Sequence, residues 1–384
     1  MIPLSVPHIG GNEWQYVKDC LDTGWISSAG SYVARFEDAI AEYTGARYGV
    51  ACMNGTSALH LCLRILGVKR DDYVILPNIT FVASANAVSY TGASPILIDA
   101  DPRTWQMDVD LLEEFLHDRT HQATDGTCIL TSDGHAIRAI MPVHVLGNMV
   151  DMDRLVQVAE RYGLTIVEDA TEALGSRLRR THAGTFGQFG CFSFNGNKII
   201  STGGGGMIVT DDEALASRAK HLSTQAKVSV DDYIHDETGY NYRLVNVLAA
   251  IGVAQMEQFP EFLERKKAMD SFYRTSLAGV GDIKFQTVAP DVDANSWLFT
   301  FATDHMRPLL QFLNERGVQS RPFWMPMNQL PMYKNAVYVS QSDHSADIYK
   351  QCVSIPSSVG LTDKDMALVS ETIRDFYKNI SEST

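Results

Sequence analysis

Lys198 is the residue of this sequence whose surroundings best suit covalent chemistry. It follows Asn195-Gly196-Asn197 and precedes a run of four glycines, Gly203 to Gly206. These small neighbours let a flat ligand approach the amine, and an amine in such a pocket can have a lowered pKa and act as a Schiff-base nucleophile. Taken alone, a lysine beside a flexible loop is more often a surface residue. The glycine run also lacks the GxxxxGK[ST] pattern of a nucleotide-binding loop.

A carboxylate pair ends a run of apolar residues at Val167-Glu168-Asp169-Ala170. If this run is a buried strand, its last carboxylate lies at the mouth of the sheet, where burial is costly without a cationic partner. The functional interpretation is an ion pair with a protonated ring nitrogen of a cofactor. The alternative is an N-cap for the helix that follows.

A third segment, Asn54-Gly55-Thr56-Ser57-Ala58, follows a predicted strand and opens a predicted helix. Gly allows a sharp turn, and the free N–H groups of a first helical turn favour an anion. The pattern is equally consistent with a plain helix cap. A fourth segment, Gly239-Tyr240-Asn241-Tyr242-Arg243, precedes a long apolar helix and by itself is consistent with a loop that carries a capping Asn.

The order of these segments is more informative than any one of them. A phosphate-binding turn, a carboxylate at a strand end and, about thirty residues later, a lysine occur in the order that a pyridoxal-phosphate site requires. That cofactor acts as an electron sink, so the protein must supply a carbonyl-capturing lysine, a counter-ion for the pyridinium nitrogen and a phosphate clamp. We therefore predict pyridoxal 5′-phosphate as the cofactor and no metal.

Composition restricts the remaining function classes. The 384 residues carry a formal net charge of −14, which disfavours binding to nucleic acid or to an anionic membrane. The six cysteines lie far apart without a CxxC pair, as expected for a reduced cytosolic protein. No apolar run approaches the roughly 20 residues that span a bilayer, and the first residues do not resemble a secretory signal. We expect a cytoplasmic enzyme without membrane or nucleic-acid partners.

The elements that position these segments alternate along the chain. Between about residues 48 and 210, short β-rich runs such as DYVILP and LTIVEDA alternate with helical stretches such as TSALHLCLRILG. This alternation predicts an α/β fold whose mostly parallel sheet carries sites at the carboxyl ends of its strands. We expect a large domain over 1–255, a smaller α+β domain over 256–384 and a hairpin insertion at 120–138.

Several stretches resemble the DegT/DnrJ/EryC/StrS-type sugar aminotransferases, a pyridoxal-phosphate-dependent family of fold-type I with the aspartate aminotransferase fold. The resemblance covers essentially the whole chain and is most specific in NGTSALH (54–60), VEDATEALGS (167–176), FSFNGNKIISTGGGGM (192–207), GYNYRLVNVLAAIGVAQME (239–257) and RPFWMPM (321–327). It implies a large domain with a seven-stranded, mostly parallel sheet and a homodimer with shared active sites.

The resemblance also implies roles for single residues. Lys198 would bind the cofactor covalently and later transfer protons, and Asp169 would pair with the pyridine nitrogen. Glu172 stands where many members have Gln near the 3′ oxygen of the cofactor, which leaves its protonation state open. The other implied contacts are the phosphate ligands Gly55, Thr56, Ser57 and Ser193, the ring-stacking Phe81 and, from the neighbouring subunit, Asn241.

Five residues are candidates for substrate contacts. The resemblance implies Arg243 and Arg321 as partners of substrate phosphate or sugar, and Asn195 is a candidate beside the lysine. Trp25 and Ser28, in GWISSAG, either border the sugar pocket or serve in packing and helix capping.

The resemblance is nearest to enzymes that form a 4-amino sugar from UDP-linked 4-keto-6-deoxy-N-acetylglucosamine, in bacillosamine or legionaminic acid pathways. SFNGNKII followed by GGGG, the stretch 223–227 and the insertion at 120–138 carry this assignment. L-Glutamate would be the amino donor. The alternative within the family is a GDP-perosamine synthase-type enzyme acting on GDP-4-keto-6-deoxymannose.

Two other functions are consistent with the same motifs. A pyridoxal-phosphate-dependent deoxysugar dehydratase is disfavoured, because the related dehydratases carry His where this chain has Lys198. A nucleotide-binding or regulatory protein that keeps the fold without catalysis is disfavoured because the lysine, the carboxylate and the phosphate cradle are all present.

Overall fold

The computed structural model describes residues 1–229 and 231–382. Helices surround one large sheet, and a smaller lobe follows near the C-terminus. The α-helices are α1 (Glu13–Thr23), α2 (Ser31–Thr44), α3 (Gly55–Ile65), α4 (Ala83–Tyr90), α5 (Val109–Arg119), α6 (Met152–Tyr162), α7 (Glu213–Ser223), α8 (Asn246–Leu277), α9 (Met306–Glu315), α10 (His344–Gln351) and α11 (Asp363–Glu382). Short 3-10 helices cover Val145–Gly147 and Met327–Gln329.

The strands form three sheets. The strands are β1 (Tyr48–Cys52), β2 (Tyr73–Pro77), β3 (Ser94–Ile98), β4 (Thr120–Gln122), β5 (Cys128–Leu130), β6 (Ala136–Ile140), β7 (Thr165–Asp169), β8 (Arg177–Leu178), β9 (Thr181–His182), β10 (Phe189–Ser193), β11 (Gly206–Thr210), β12 (Lys284–Phe285), β13 (Val292–Asp293), β14 (Thr300–Ala302), β15 (Arg321–Pro322), β16 (Val337–Val339) and β17 (Cys352–Ser354). The three sheets are the large one, a small sheet β12-β14-β17-β15 and a ribbon β13-β8-β9.

The large sheet has the order β1-β11-β10-β7-β6-β2-β3-β16. Along this order the pairs are parallel except at β11, which runs antiparallel to both β1 and β10, and the β4–β5 hairpin joins β6 through antiparallel pairs. The predicted α/β class with a mostly parallel sheet is confirmed. The predicted count of seven strands is too low, because β16 joins the edge from a distant part of the chain and the β4–β5 hairpin pairs with β6. That hairpin lies in the predicted insertion at 120–138.

Both faces of the large sheet are buried, which explains why its strands are almost continuously apolar. Along β2, Ile75 packs into one hydrophobic cluster while Val74 and Leu76 pack into another on the opposite face. The same alternation occurs in β3, where Ile96 and Ile98 face away from Leu97. Helices must therefore cover both sides, and only the strand ends are left free for chemistry.

The smaller lobe has its own core, formed by α9, α11, the last turns of α8 and the sheet β12-β14-β17-β15. The predicted domain boundary at 255/256 falls inside α8. In addition, one N-terminal residue packs in the smaller lobe, and one C-terminal strand belongs to the large sheet. Ile2 packs in the small-lobe core and bridges to Val318, whereas β16 belongs to the large sheet. The assignment of 1–255 and 256–384 as domains stays a prediction. No helix of the described residues is long and apolar enough to cross a membrane.

Candidate active site

The edge of the large sheet where β1, β7 and β10 end holds most of the predicted site residues. Because β11 runs in the opposite direction, it begins at this same edge, and Gly206 is paired with Cys52 on one side and with Ser193 on the other. The turn after β1, the carboxylate that ends β7 and the loop after β10 therefore meet at one place, as the order of the motifs predicts.

Asp169 is a buried carboxylate held in a fixed orientation. The Ser84 hydroxyl at the start of α4 donates to its Oδ2 (2.6 Å), and the main-chain N–H of Thr171 donates to its Oδ1 (3.2 Å). The residue is 2% exposed and lines a cavity. A buried carboxylate whose neighbours are hydrogen-bond donors stays competent to pair with a cation that enters the cavity.

The preceding residue, Glu168, has a different role because successive side chains of a strand face opposite sides. Its carboxylate accepts from His144 Nε2 (2.9 Å) and from the main-chain N–H groups of Gly184, Phe186 and Gly187 (2.6 to 2.7 Å). It thereby fastens the 184–187 loop to the sheet. Of the two adjacent carboxylates, only Asp169 lines the cavity.

Lys198 lies in the same cavity, between a carboxylate and an indole ring. Its Nζ is 3.7 Å from Glu172 Oε1 and 3.9 Å from the centroid of the Trp297 ring. Burial lowers the pKa of the Lys198 amine, and the nearby Glu172 carboxylate opposes this shift. An amine that loses its proton more readily is a better nucleophile toward a carbonyl carbon.

Glu172 is a buried acid with one oxygen directed at the lysine. Its Oε2 accepts from the main-chain N–H of Leu146 (2.8 Å), a residue held in the left-handed region with φ of 61°. Burial raises the pKa of Glu172 to about 7, while Lys198 and this N–H act in the opposite direction. Such an acid exchanges a proton close to neutral pH.

The turn before α3 has the geometry of an anion site. Asn54 caps α3 through its Oδ1, which accepts from Ser57 N (2.8 Å). Two glycines are required sterically: a Cβ at Gly55 would lie 2.9 Å from Thr171 Cγ2, and one at Gly206 would lie 2.5 Å from the Asn54 carbonyl group. The helix start is thus drawn against the strand ends, with its positive end toward the cavity.

The cavity at this edge has a volume of about 300 Å³. Eight of the predicted residues line it: Gly55, Thr56, Phe81, Asp169, Glu172, Ser193, Asn195 and Lys198. The sequence did not single out Ser84, Asn197 or Trp297, which also line it. Trp324, within the RPFWMPM motif, also lines the cavity and stacks beside Trp297 with ring centroids 6.4 Å apart. A larger cavity of about 500 Å³, beside residues 284–300, contains none of the predicted residues.

Some predicted residues lie outside the cavity lining. Arg243 is half-buried, and its guanidinium pairs with the buried Glu37, whose carboxylate also accepts from Ala51 N. The sequence did not predict that Glu37 would be the partner of Arg243. This ion pair neutralises the guanidinium that was expected to meet the substrate. Ser57 is buried beneath the cap of α3. The remaining residues are exposed and stay predictions: Trp25, Ser28, Asn241 and Arg321.

The lysine, the carboxylate and the anion-binding helix start thus share one cavity, and comparison with known proteins gives this arrangement a family. The model of the DegT/DnrJ/EryC1/StrS aminotransferase family matches residues 7–374. The chain belongs to this family. Its membership confirms the sequence-based predictions of the family, the fold class, amino transfer as the reaction and pyridoxal phosphate as the cofactor.

The chain is 36% identical to GDP-perosamine synthase of Escherichia coli O157:H7 over 98% of this chain and 99% of that protein. It is 37% identical to GDP-perosamine synthase of Caulobacter vibrioides over 95% of both. EpsN of Bacillus subtilis, provisionally named a pyridoxal phosphate-dependent aminotransferase, is 35% identical over 99% of this chain and 96% of its own length. The crystal structure of DesV from S. venezuelae superposes with a TM-score of 0.86 and 30% identity, covering 95% of this chain and 94% of DesV.

Proposed function

We propose that this sugar aminotransferase moves the amino group of L-glutamate to the C4 keto carbon of GDP-4-keto-6-deoxymannose. The observation that carries the nucleotide and sugar is the identity of 36% and 37%, over almost the whole chain, to two GDP-perosamine synthases. The sequence motifs favoured UDP-linked 4-keto-6-deoxy-N-acetylglucosamine, with the GDP-linked sugar as the alternative. The relatives favour the alternative.

The residues of the cavity fit pyridoxal phosphate. When bound, the cofactor withdraws electrons from the carbon atom that carries the transferred nitrogen. Asp169, buried and oriented by Ser84, would hold a proton on the ring nitrogen, which increases this electron withdrawal. The N–H groups at the start of α3, with Thr56 and Ser193, would hold the phosphate.

Lys198 would bind the cofactor covalently and then, as a free amine, move the proton between the two carbon atoms involved. Its lowered pKa suits both tasks, because the neutral amine is the nucleophile and the base. Glu172 can hold or release a proton near pH 7 beside that amine. Trp297 and Trp324 form an apolar side of the cavity, which keeps water from the reacting atoms.

We also propose that two copies of the chain complete each site. Large apolar side chains are exposed around the mouth of the cavity, among them Phe81, which is 55% exposed, and Met53 beside the phosphate turn. Among the described residues that line the cavity, Lys198 is the one cation. The cations that meet a nucleotide diphosphate must therefore come from outside this lining, which supports a site completed by a second subunit. Asn241, which is exposed, would reach the cofactor phosphate from that subunit.

A product assay tests the reaction and its substrate together. The purified enzyme, loaded with pyridoxal phosphate, is given L-glutamate and GDP-, UDP- or dTDP-linked 4-keto-6-deoxy sugars, and the amino sugar is identified by mass spectrometry. We expect the highest kcat/KM with the GDP-linked sugar. A higher value with the UDP-linked sugar would reverse the assignment of the nucleotide. Loss of water from the sugar without nitrogen transfer would instead identify a dehydratase.

Mixed dimers test the shared site. Lys198→Ala and Asn241→Ala proteins, each with little activity alone, are unfolded together, refolded and assayed. Random pairing makes about half of the dimers mixed, and each mixed dimer has one intact site of its two. Activity should therefore return to about a quarter of the wild-type value. If the mixture stays as inactive as its components, each site is contained within one chain.

A further inference from the structure

We propose that the side-chain amide oxygen of Asn197 accepts a hydrogen bond from the hydroxyl group on C3 of the sugar, next to the C4 keto carbon. The inference rests on the proposed function, since it assigns a specificity contact within that site. It begins with Asn197 Oδ1, which is buried and has no hydrogen-bond partner. No other buried side-chain nitrogen or oxygen among the described residues is left in this condition.

The position of Asn197 is fixed from two sides. Its main-chain carbonyl oxygen accepts from Trp297 Nε1 (2.7 Å) and from the Ser5 hydroxyl (2.9 Å). The residue lines the cavity next to Lys198. A buried acceptor without a partner destabilises a protein. The two bonds hold the main chain of Asn197 at the cavity wall. The unpaired oxygen is therefore explained if a ligand in the cavity supplies the donor.

The cofactor, L-glutamate and the keto sugar differ in whether they can donate a hydrogen bond to the Asn197 oxygen. The protonated ring nitrogen of the cofactor is assigned to Asp169, its 3′ oxygen is expected beside Glu172, and its phosphate group only accepts hydrogen bonds at neutral pH. Apart from its reacting amine, L-glutamate presents two carboxylates, which also only accept. A keto sugar presents hydroxyl donors. The oxygen of Asn197 thus has a suitable partner in the sugar and none in the amino donor.

The hydroxyl can be named from the structure of the sugar. In a 4-keto-6-deoxy hexose, the reacting C4 has two carbon neighbours, of which C5 bears the methyl group and the ring oxygen and C3 bears a hydroxyl. Because Asn197 adjoins Lys198, whose amine acts at the reacting carbon, its oxygen is placed to meet a group on an adjacent carbon. The same C3 hydroxyl occurs in both the GDP- and the UDP-linked candidates.

Asn197→Leu tests the contact, because Leu has nearly the same size and cannot accept a hydrogen bond. The two half-reactions are followed separately through the visible absorbance of the bound cofactor, first with L-glutamate and then with the keto sugar. We expect kcat/KM for the sugar to fall by about tenfold to a hundredfold, as when a buried polar partner is lost. The rate with L-glutamate should stay within about twofold.

A substrate analogue gives an independent measurement on the wild-type protein. A 4-keto-3,6-dideoxy sugar, which lacks the C3 hydroxyl, should be used about as poorly by the wild type as the full sugar is by Asn197→Leu. The variant should lose little more with the analogue, since each change removes the same hydrogen bond. Losses that multiply would show that the two groups do not meet and would overturn the proposal.

Each remaining outcome has one meaning. Equal losses in both half-reactions would assign Asn197 to the placement of Lys198 or the cofactor and reject the sugar contact, and no loss in either would show that water satisfies the oxygen. Asn335→Leu, in an exposed turn, is the matched control for the exchange itself and should leave both rates unchanged. Should the wild type fail to aminate any keto sugar, the proposed function fails instead.

Discussion

Lys198 and Lys266 are both largely removed from solvent, and of these two only Lys198 lies where a reaction can occur. Lys198 borders a cavity and faces Glu172, whereas Lys266, in the middle of α8, donates to the carbonyl oxygens of Trp297 (2.6 Å) and Ser357. Burial lowers the pKa of both amines, that of Lys266 to about 7. A lowered pKa therefore does not distinguish a catalytic lysine from a structural one. An open space and an acidic neighbour beside the amine do.

The largest effect that this comparison predicts is that of Lys198→Ala. We expect kcat to fall by at least about 10³-fold, because the variant has no amine to bind the cofactor or to move the proton. The visible absorbance of the bound cofactor should disappear from the purified protein, while circular dichroism stays that of the wild type. Normal turnover by this variant would show that Lys198 is not the reactive lysine.

The two adjacent carboxylates at the end of β7 should respond to substitution in different ways. Asp169→Asn keeps the shape but does not hold a proton on the ring nitrogen, so we expect kcat to fall about 10²-fold with little change in stability.

Glu168→Gln is the matched variant. It directs an NH₂ group toward a site where three main-chain N–H groups and His144 now donate, so we expect about 2 kcal/mol of lost stability in urea unfolding. The activity per folded molecule should change little. If Glu168→Gln slowed catalysis as much as Asp169→Asn, the separation of their roles would be wrong.

Lys266→Met sharpens the comparison through the pH dependence of stability. Because the pKa of Lys266 is about 7 in the folded protein and roughly 10.4 in an unfolded chain, the unfolded state binds more protons between these values. The contribution of Lys266 to the free energy of unfolding therefore rises with pH between these two pKa values, by at most about 1.4 kcal/mol per pH unit. Below this range the contribution is smaller. The free energy of unfolding, measured from pH 7 to 9, should rise more steeply for the wild type than for Lys266→Met.

The smallest effect should come from Glu172→Gln. A group with a pKa of about 7 beside Lys198 makes the addition of cofactor to the apoenzyme depend on pH around neutrality. We expect the rate of cofactor incorporation to show a transition near pH 7 in the wild type that is lost in the variant, while rates at the optimum differ by about threefold or less. A transition that persists in Glu172→Gln would assign it to Lys198 or another group.

Residues that act close to a strand end could be predicted from sequence, and those that reach the site from distant segments could not. Gly55 and Lys198 follow recognisable apolar strands and Asp169 ends one, and parallel strands bring their ends together. Trp297 comes from a segment about a hundred residues beyond Lys198, without a local pattern that indicates a pocket. The extra edge strand β16 arrives in the same way.

Charge was the least predictable property from sequence, because it depends on partners that are distant in the chain. Arg243 has the residue type of a phosphate ligand, yet the structure pairs it with Glu37. Lys266 lies in a stretch of charged residues, ERKK, which indicates a solvent-exposed helix face, yet it is 1% exposed. A buried ion pair or a lysine bonded to carbonyl groups leaves no periodic signal in one sequence.

The reversed direction of β11 has a consequence for the order in which the site forms. A parallel connection needs a long crossover, but β10 and β11 are joined as a hairpin that starts and ends at one edge, closed by bonds between Phe194 and Gly205 and between Thr202 and Phe194. Such local closure is fast, whereas the contact of Lys198 with Trp297 closes a far longer loop. We expect pulsed hydrogen exchange during refolding to protect the amides of this hairpin before those around Trp297. Simultaneous protection would contradict this order. In the expected order, the loop that carries Lys198 forms before Trp297 packs beside it and shields it from water.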